Sequence, residues 1–152
     1  MATKNPSASR IPHKPEDSLG FRLGTLSNLV ALPFATHGKD EDLTLLEWRM
    51  LQVLDAHPGI SITEVCFYTG MHKMQASRAL QRAVRMKRAV WKADATDGRR
   101  KLVFLTAAGK ALCQRLYPGT AAREAELRKA LSEEQRRVLG PLLDQLIGHF
   151  RA

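Results

Sequence analysis

The chain has 152 residues, of which 44% are hydrophobic and 26% are charged, and its formal net charge is +9 at pH 7. This composition is typical of one globular domain, alone or with a dimerisation extension. No apolar run reaches the length of a membrane span and the N-terminus lacks the apolar segment of a secretory signal, so we predict a soluble cytoplasmic protein.

The positive charge is concentrated in residues 71–101. This stretch contains ten Lys and Arg against two acids, a net charge of +8, whereas the rest of the chain carries 14 basic and 13 acidic groups. Charge confined to one stretch predicts a surface that binds a polyanion. Nucleic acid is the expected partner; an anionic membrane surface is disfavoured because no basic helix has enough bulky apolar residues on its opposite face.

The N-terminal part is predicted to hold an arm and one helix. Residues 1–17 contain three prolines among polar and basic residues, which is typical of a disordered arm. Leucines at helical spacing predict a first helix over residues 18–35. It should kink or end near Leu32 because Pro33 removes a backbone donor, and a polar connector is expected at residues 37–42.

Local capping signals predict a helix-turn-helix in the middle of the chain. Thr44 and Glu47 have the spacing of a capping box, in which a hydroxyl and a carboxylate satisfy exposed backbone donors reciprocally, and Ser61 and Glu64 repeat it. Gly70 predicts a left-handed end to the second of these helices. A basic helix begins a few residues later, and two short helices joined by a Gly-containing turn are typical of a helix-turn-helix.

A basic hairpin is predicted after the second helix of this motif. Apolar runs at residues 89–93 and 102–105 flank an Asp-Gly turn signal at residues 96–99. A basic hairpin directly after a helix-turn-helix is a wing.

The last part of the chain is predicted to be helical. Thr106 caps a helix that runs to about Ala130, with a candidate break at residues 118–119, and Ser132 with Gln135 forms a third capping box. The first helix and the last two carry more apolar surface than a small winged domain could cover. That surplus predicts a homodimer interface built from these helices.

The order of the elements and three of their segments resemble the MarR family of dimeric winged-helix transcription regulators. The most specific match is the wing, Asp97-Gly98-Arg99, followed at a fixed distance by Leu105-Thr106-Ala107-Ala108-Gly109; residues 43–51 and 69–80 support it. Two residues depart from the family pattern. His72 stands where an Asp or small polar cap is usual, and Lys87 stands where a Gly normally ends the recognition helix, which leaves that helix end and the hairpin register open.

The resemblance implies a fold that is mainly α with a small β-wing. It spans residues 18–150, beyond a disordered arm at residues 1–17. Residues 43–106 would form the winged helix-turn-helix, and residues 18–36 and 107–150 would form the dimerisation helices.

The resemblance also implies that the basic helix enters the major groove of double-stranded DNA and that the wing reaches the minor groove. Helical spacing turns Gln75, Ser77, Arg78 and Arg82 outward, and Gln75 and Arg78 are the expected base readers. Arg99 is expected to enter the minor groove with Asp97 as its orienting partner. The residues expected to contact the DNA backbone are Ser61, Thr63, His72, Lys73, Arg82, Arg100 and Lys101.

Proteins of this family commonly bind a small anionic aromatic molecule between the dimer helices and the winged domain. A small-molecule effector, such as an aromatic carboxylate, is therefore expected, and no cofactor. Arg22 could pair with its carboxylate and Trp48 could stack on its ring, although Trp48 could equally be a core residue and Arg22 could pair across the dimer. The candidate ligand contacts are Arg22, Asn28, His37 and Trp48. The resulting prediction is a repressor that the ligand releases from a pseudo-palindromic operator.

Two other classes of function are disfavoured. A winged helix used for protein contacts would not need a basic helix and a basic wing on one face. An enzyme would need an acid–base pair, a nucleophile constellation, a phosphate-binding loop or a metal set, and the sequence contains none of these patterns. Cys66 and Cys113 lack Cys-x-x-Cys spacing, so we expect buried apolar thiols rather than a redox switch or a zinc site.

Overall fold

The computed structural model describes residues 14–151, except for the side chains of residues 33 and 35–39. A single 3-10 turn at Pro15–Asp17 precedes six helices and two strands. They are α1 (Leu19–Asp40), α2 (Leu45–Ala56), α3 (Ile62–Thr69), α4 (Lys73–Arg85), β1 (Ala89–Ala93), β2 (Lys101–Leu105), α5 (Ala107–Lys129) and α6 (Glu133–Arg151). The fold is therefore mainly α with a small β-hairpin, as the sequence predicts. Within the described range, no helix combines the length and the apolarity that crossing a bilayer requires.

The helix-turn-helix consists of α3 and α4, which pack on α2. Ser61 and Glu64 form the predicted capping box at the start of α3: the Ser61 backbone N–H donates to the Glu64 carboxylate at 2.8 Å and the Glu64 N–H donates to the Ser61 hydroxyl at 3.3 Å. Gly70 ends α3 with φ of +70°, a left-handed conformation that favours glycine.

The core lies where α2, α4 and the hairpin meet. Met50, Leu51, Val65, Leu80 and Val103 are fully buried, and together they join α2, α3, α4 and β2. Burial of these apolar side chains holds the helix-turn-helix against the hairpin. The inward face of α4 is the one that the sequence spacing predicts: its buried residues are Ala76, Ala79, Leu80 and Ala83.

The C-terminal end of α4 fixes where the hairpin begins. Lys87 adopts φ of +58°, and two hydrogen bonds close the end of the helix: Lys87 N–H to the Val84 carbonyl at 2.9 Å and Arg88 N–H to the Ala83 carbonyl at 2.8 Å. Lys87 thus occupies a left-handed position that usually prefers glycine. The hairpin register follows directly, with Ala89 opposite Leu105.

Four local predictions are wrong, the first being the polar connector at residues 37–42, since residues 37–40 belong to α1. α1 does not end near Leu32 but runs through Pro33 to Asp40, and α5 runs without a break through Pro118. Proline has a helical φ and removes only one backbone donor, so a helix can continue on both sides of it. Thr44 caps α2 through the Glu47 N–H at 3.1 Å, but the Glu47 carboxylate does not complete a capping box, because it turns into the core.

The two cysteines are both free thiols. Cys113 is fully buried, and burial raises the pKa of its thiol to about 11. At neutral pH this thiol is protonated and behaves as a small apolar residue, as the sequence predicts. Cys66 is only half-buried.

The terminal helices expose much apolar surface. Every described residue of α6 is exposed except Leu146, which is half-buried. The large apolar side chains exposed on α1 and α6 are Leu19, Phe21, Leu23, Leu26, Leu29, Leu32, Val138, Leu139, Leu142, Leu143, Ile147 and Phe150.

Candidate nucleic-acid interface

The outer face of α4 presents the polar side chains that the sequence places there. Lys73, Gln75 and Arg78 are exposed and Ser77 is half-buried. α4 carries no acidic residue in its first turn. Its N-terminal half therefore offers hydrogen-bond donors on a rigid helix.

Gln75 also completes the start of α4. Its side-chain oxygen Oε1 accepts a hydrogen bond from the backbone N–H of His72 at 3.2 Å. This bond is the half of a capping box in which the third helical residue satisfies the backbone N–H of the cap residue. It uses the side-chain oxygen of Gln75 and leaves the NH₂ donors of the amide outside the bond.

The tip of the wing carries an exposed Arg99. The Asp97 carboxylate accepts from the backbone N–H of Arg99 at 3.1 Å, which shapes the turn. The prediction that Asp97 orients the Arg99 side chain is therefore altered: the hydrogen bond is to the backbone. A second hydrogen bond in this loop joins the Thr96 backbone N–H to the Asp94 carboxylate. This hydrogen bond is the main cause of the lowered pKa of Asp94.

A groove of about 610 Å³ separates the start of α3 from the wing. It brings together residues that lie far apart in the sequence. The predicted DNA contacts lining it are Ser61, Thr63, Arg99, Arg100 and Lys101.

One acid, Glu64, shares this groove. Hydrogen bonds from the Ser61 hydroxyl and backbone lower the pKa of its carboxyl group, and Arg100 lies 3.8 Å from it. Arg100 is also 3.9 Å from Asp94, so its charge is shared with two carboxylates.

Arg82 does not point outward as predicted. Its Nε donates to Glu47 at 3.0 Å, its Nη2 donates to the Asp42 carboxylate, and the side chain is only 25% exposed. Helical spacing alone turns Arg82 outward, but the carboxylates of Glu47 and Asp42 both reach its guanidinium and hold it. The hydrogen bond to Asp42 is the main cause of its raised pKa.

Glu47 is the buried centre of this ion-pair network, a role that its sequence context did not predict. The side chain is fully buried, and its second oxygen accepts from Arg88 Nη1 at 2.8 Å. Arg88 is also buried, and its other hydrogen bonds go to the backbone carbonyls of Glu41 and Asp42. One carboxylate between two guanidiniums thus joins α2, α4 and the start of the wing.

The remaining basic side chains of residues 71–101 face solvent. Of the ten, Arg82 and Arg88 turn inward and the other eight are exposed. The exposed set is Lys73, Arg78, Arg85, Lys87, Lys92, Arg99, Arg100 and Lys101.

A second cavity, of about 670 Å³, lies between α1, α2 and α5. Its wall is mostly apolar, and three arginines reach it: Arg49, Arg115 and Arg123. None of these three arginines was predicted from the sequence as a ligand contact. Arg115, Gly119 and Arg123 recur at four-residue intervals on α5, so helical periodicity was the available signal.

Of the predicted ligand contacts, the structure places some at the cavity and others away from it. Trp48 lines the cavity, whereas Arg22 and Asn28 are not among the described residues that do. Arg22 instead donates to the Glu16 carbonyl at 2.8 Å and lies 3.8 Å from the Asp17 carboxylate. Both partners belong to the 3-10 turn that precedes α1. The side chain of His37 lies outside the described residues.

Trp48 is a core residue, which is one of the two interpretations that the sequence left open. It is 4% exposed, stacks on Phe34 with ring centroids 6.2 Å apart, and packs against Tyr117 at 5.8 Å. Besides packing in the core, it lines the cavity. Burial and a hydrogen bond to Asp55 raise the pKa of Tyr117, which keeps its hydroxyl protonated as the donor.

Within the part of the chain that the structure describes, no group of His, Cys, Asp and Glu could hold a metal ion. The polar side chains exposed on α4 and the wing carry guanidinium, ammonium, amide and hydroxyl donors. Such donors recognise phosphates and base edges.

Comparison with known proteins relates this arrangement to a family. A family model described as MarR family matches residues 41–100, and no curated protein matches the chain. A MarR family transcriptional regulator from Silicibacter pomeroyi DSS-3 is 28% identical, with 88% of this chain and 98% of that chain covered and a TM-score of 0.73.

Two further solved structures share the fold at lower identity. The S. aureus MepR–DNA complex is 22% identical, with 87% of this chain and 98% of that one covered and a TM-score of 0.77. Bordetella bronchiseptica BpsR, studied for regulation of its DNA binding by 6-hydroxynicotinic acid, is 21% identical, with coverages of 90% and 97% and a TM-score of 0.77. Residues 41–100 thus match the MarR family model, and along most of its length the chain is similar in fold to solved MarR family transcriptional regulators.

Proposed function

We propose that the protein is a repressor that binds a pseudo-palindromic operator in double-stranded DNA as a homodimer, and that a small aromatic carboxylate releases it. The observation that carries the proposal is the distribution of charge: eight exposed Lys and Arg lie on α4, on the wing and on the turn between them. A local basic surface on a winged helix-turn-helix is the electrostatic requirement for binding a duplex.

In this proposal α4 lies in the major groove. Arg78 would donate to guanine, and Gln75 would read a base through the amide that its bond to His72 holds in place. Each good pair would discriminate between bases by about 1–3 kcal/mol. Ser77 lies between these two in the sequence, is half-buried, and would contact a base or a phosphate.

The groove between α3 and the wing would receive the sugar-phosphate backbone. Ser61, Thr63 and Lys101 line it, and Lys73 and His72 are exposed at the start of α4. Contacts of this kind position the protein without reading sequence. Arg100 would join them by exchanging its carboxylate partners for phosphate.

Arg99 at the wing tip would enter the minor groove, and its removal tests the proposal. We expect Arg99→Ala to weaken binding to a selected genomic operator roughly ten-fold, or about 1.4 kcal/mol, and to reduce the salt dependence of affinity. The measurement is a gel shift at several fixed salt concentrations.

Lys129→Ala is the matched control for Arg99→Ala. It also removes one exposed positive charge, but at the far end of α5, a helix of 23 residues that rises about 33 Å from the wing. Its affinity should equal that of the unaltered protein. Equal losses in both variants, or none in Arg99→Ala, would remove the wing from the proposal.

The exposed apolar side chains of α1 and α6 support the homodimer. α6 buries none of its residues within the chain, although it carries Leu142, Leu143 and Ile147 on its surface. A second copy would cover this surface by two-fold pairing. On this proposal α1, α5 and α6 form the dimerisation region, and residues 43–106 form the DNA-binding unit.

The cavity between α1, α2 and α5 supports the ligand. Its apolar wall suits a ring, Trp48 in that wall could contact the ring, and Arg49, Arg115 and Arg123 could pair with a carboxylate. Solved relatives include structures studied with such molecules, 6-hydroxynicotinic acid and 4-hydroxyphenylacetate. A ligand that prefers the protein in a state unable to bind DNA would lower operator affinity.

A further inference from the structure

A continuous set of ion pairs and hydrogen bonds leads from the cavity to α4. It begins with Arg115, which lines the cavity and makes a two-point contact with Glu41. Arg115 Nε donates to Glu41 Oε1 at 3.1 Å and Nη2 donates to Oε2 at 3.0 Å. The hydrogen bonds from Arg115 lower the pKa of Glu41, so the pair is charged at neutral pH.

The next link is the backbone beside Glu41. The carbonyls of Glu41 and Asp42 accept hydrogen bonds from Arg88, and the Asp42 carbonyl also accepts from Arg82 at 2.8 Å. Asp42 adopts φ of +46°, so these two carbonyls sit in a sharp turn between α1 and α2. Arg82 lies on α4, and Arg88 immediately precedes β1.

We infer that Arg115 and Glu41 are positioning residues that report occupancy of the cavity to α4. An anion that engages Arg115 from the cavity competes with Glu41 for the same guanidinium. Release of Glu41 loosens the 41–42 turn, which then holds Arg82 and Arg88 less firmly and leaves α4 less well oriented for DNA. This inference rests on the proposed function and assigns the residues through which a ligand acts.

The expected effect is modest because the pair is partly exposed. The Arg115 side chain is 57% exposed and that of Glu41 is 30% exposed. Ion pairs between partly exposed side chains contribute little, so breaking this one should change operator affinity by about two- to five-fold. A weak pair is also one that a bound anion can displace.

Gly119 offers a way to place an anion in the cavity without knowing the ligand. It lines the cavity one helical turn after Arg115, and a side chain at this position would meet no atom within 4 Å of its Cβ. A carboxylate there is at the spacing at which side chains on one helix face pair. Gly119→Glu therefore supplies a tethered anion for Arg115, and Gly119→Gln is its neutral control of the same size.

The experiment measures affinity for one selected operator duplex, with thermal unfolding recorded for each variant. We expect Gly119→Glu to bind two- to five-fold more weakly than Gly119→Gln at an unchanged melting temperature. Glu41→Gln and Arg115→Gln should each weaken binding by a similar factor. Because both substitutions break the same ion pair, the double variant should bind no more weakly than either single variant. Adding Gly119→Glu to Glu41→Gln should have no further effect.

Two results would overturn the inference. One is equal affinity of Gly119→Glu and Gly119→Gln; the other is multiplication of the effects of Glu41→Gln and Arg115→Gln in the double variant, which marks independent sites. Binding by the unaltered protein shows whether such a result contradicts the coupling alone or the proposed function as well. If it selects no duplex at all, the proposed function fails; if it binds and the variants bind equally, only the coupling fails.

Discussion

Replacing Gly109 with alanine should lower the free energy of unfolding by about 3 kcal/mol, the first of the two largest effects that the structure predicts. A Cβ at this position would lie 2.0 Å from the carbonyl oxygen of Arg88 and 3.0 Å from its carbonyl carbon. That carbonyl already accepts the Thr106 N–H at 3.0 Å, so it cannot retreat without breaking the junction between wing and α5. Chemical denaturation followed by circular dichroism measures the change.

Gly119→Ala is the control for this substitution, because it lies on the same helix. A Cβ at Gly119 would meet nothing within 4 Å, so the usual gain of alanine over glycine inside a helix should appear, about 0.5–1 kcal/mol. The free energy of unfolding should therefore fall in Gly109→Ala and rise in Gly119→Ala. Similar stability for both variants would show that α5 does not pass so close to the Arg88 carbonyl.

The second large effect is at Glu47. We expect Glu47→Ala to lower the free energy of unfolding by about 3–5 kcal/mol, because Arg88 would then be buried without its carboxylate. Arg82 would lose its hydrogen bond to Glu47 at 3.0 Å, so α4 should also lose its fixed position on α2. Operator affinity should fall even at temperatures at which the variant remains folded.

Glu126→Ala controls for the removal of a paired carboxylate. Glu126 pairs with Arg123 at 2.6 Å on the surface of α5, where its side chain is 64% exposed. Surface pairs of this kind contribute little, so the denaturation midpoint should barely move. If Glu47→Ala were as mild as Glu126→Ala, the buried network could not be what holds α4.

The elements that the sequence predicted well are those specified by neighbouring residues. The Ser61–Glu64 capping box and the left-handed Gly70 are local features, so they give the helix-turn-helix without knowledge of the tertiary fold. The buried stripe of α4 follows in the same way from helical spacing. The wing turn and its distance from Gly109 also lie within a short stretch of chain.

The errors share a physical cause, which is competition from contacts distant in the chain. Glu47 could have capped α2, but its carboxylate instead meets Arg82 and Arg88, which are 35 and 41 positions away. Helical spacing, which takes no account of these distant partners, therefore predicted wrongly that Arg82 faces outward. The arginines of the cavity were missed for the same reason, since the cavity exists only once α1, α2 and α5 pack.

The measurement that tests the central proposal most directly is selection of bound duplexes from a random pool, followed by footprinting and determination of the number of protomers per duplex. Two copies of the α4 and wing surface, related by a two-fold axis, should protect two inverted half-sites about 10 base pairs apart, with two protomers bound. An undivided site bound by one protomer, or a pool with no enriched sequence, would contradict it.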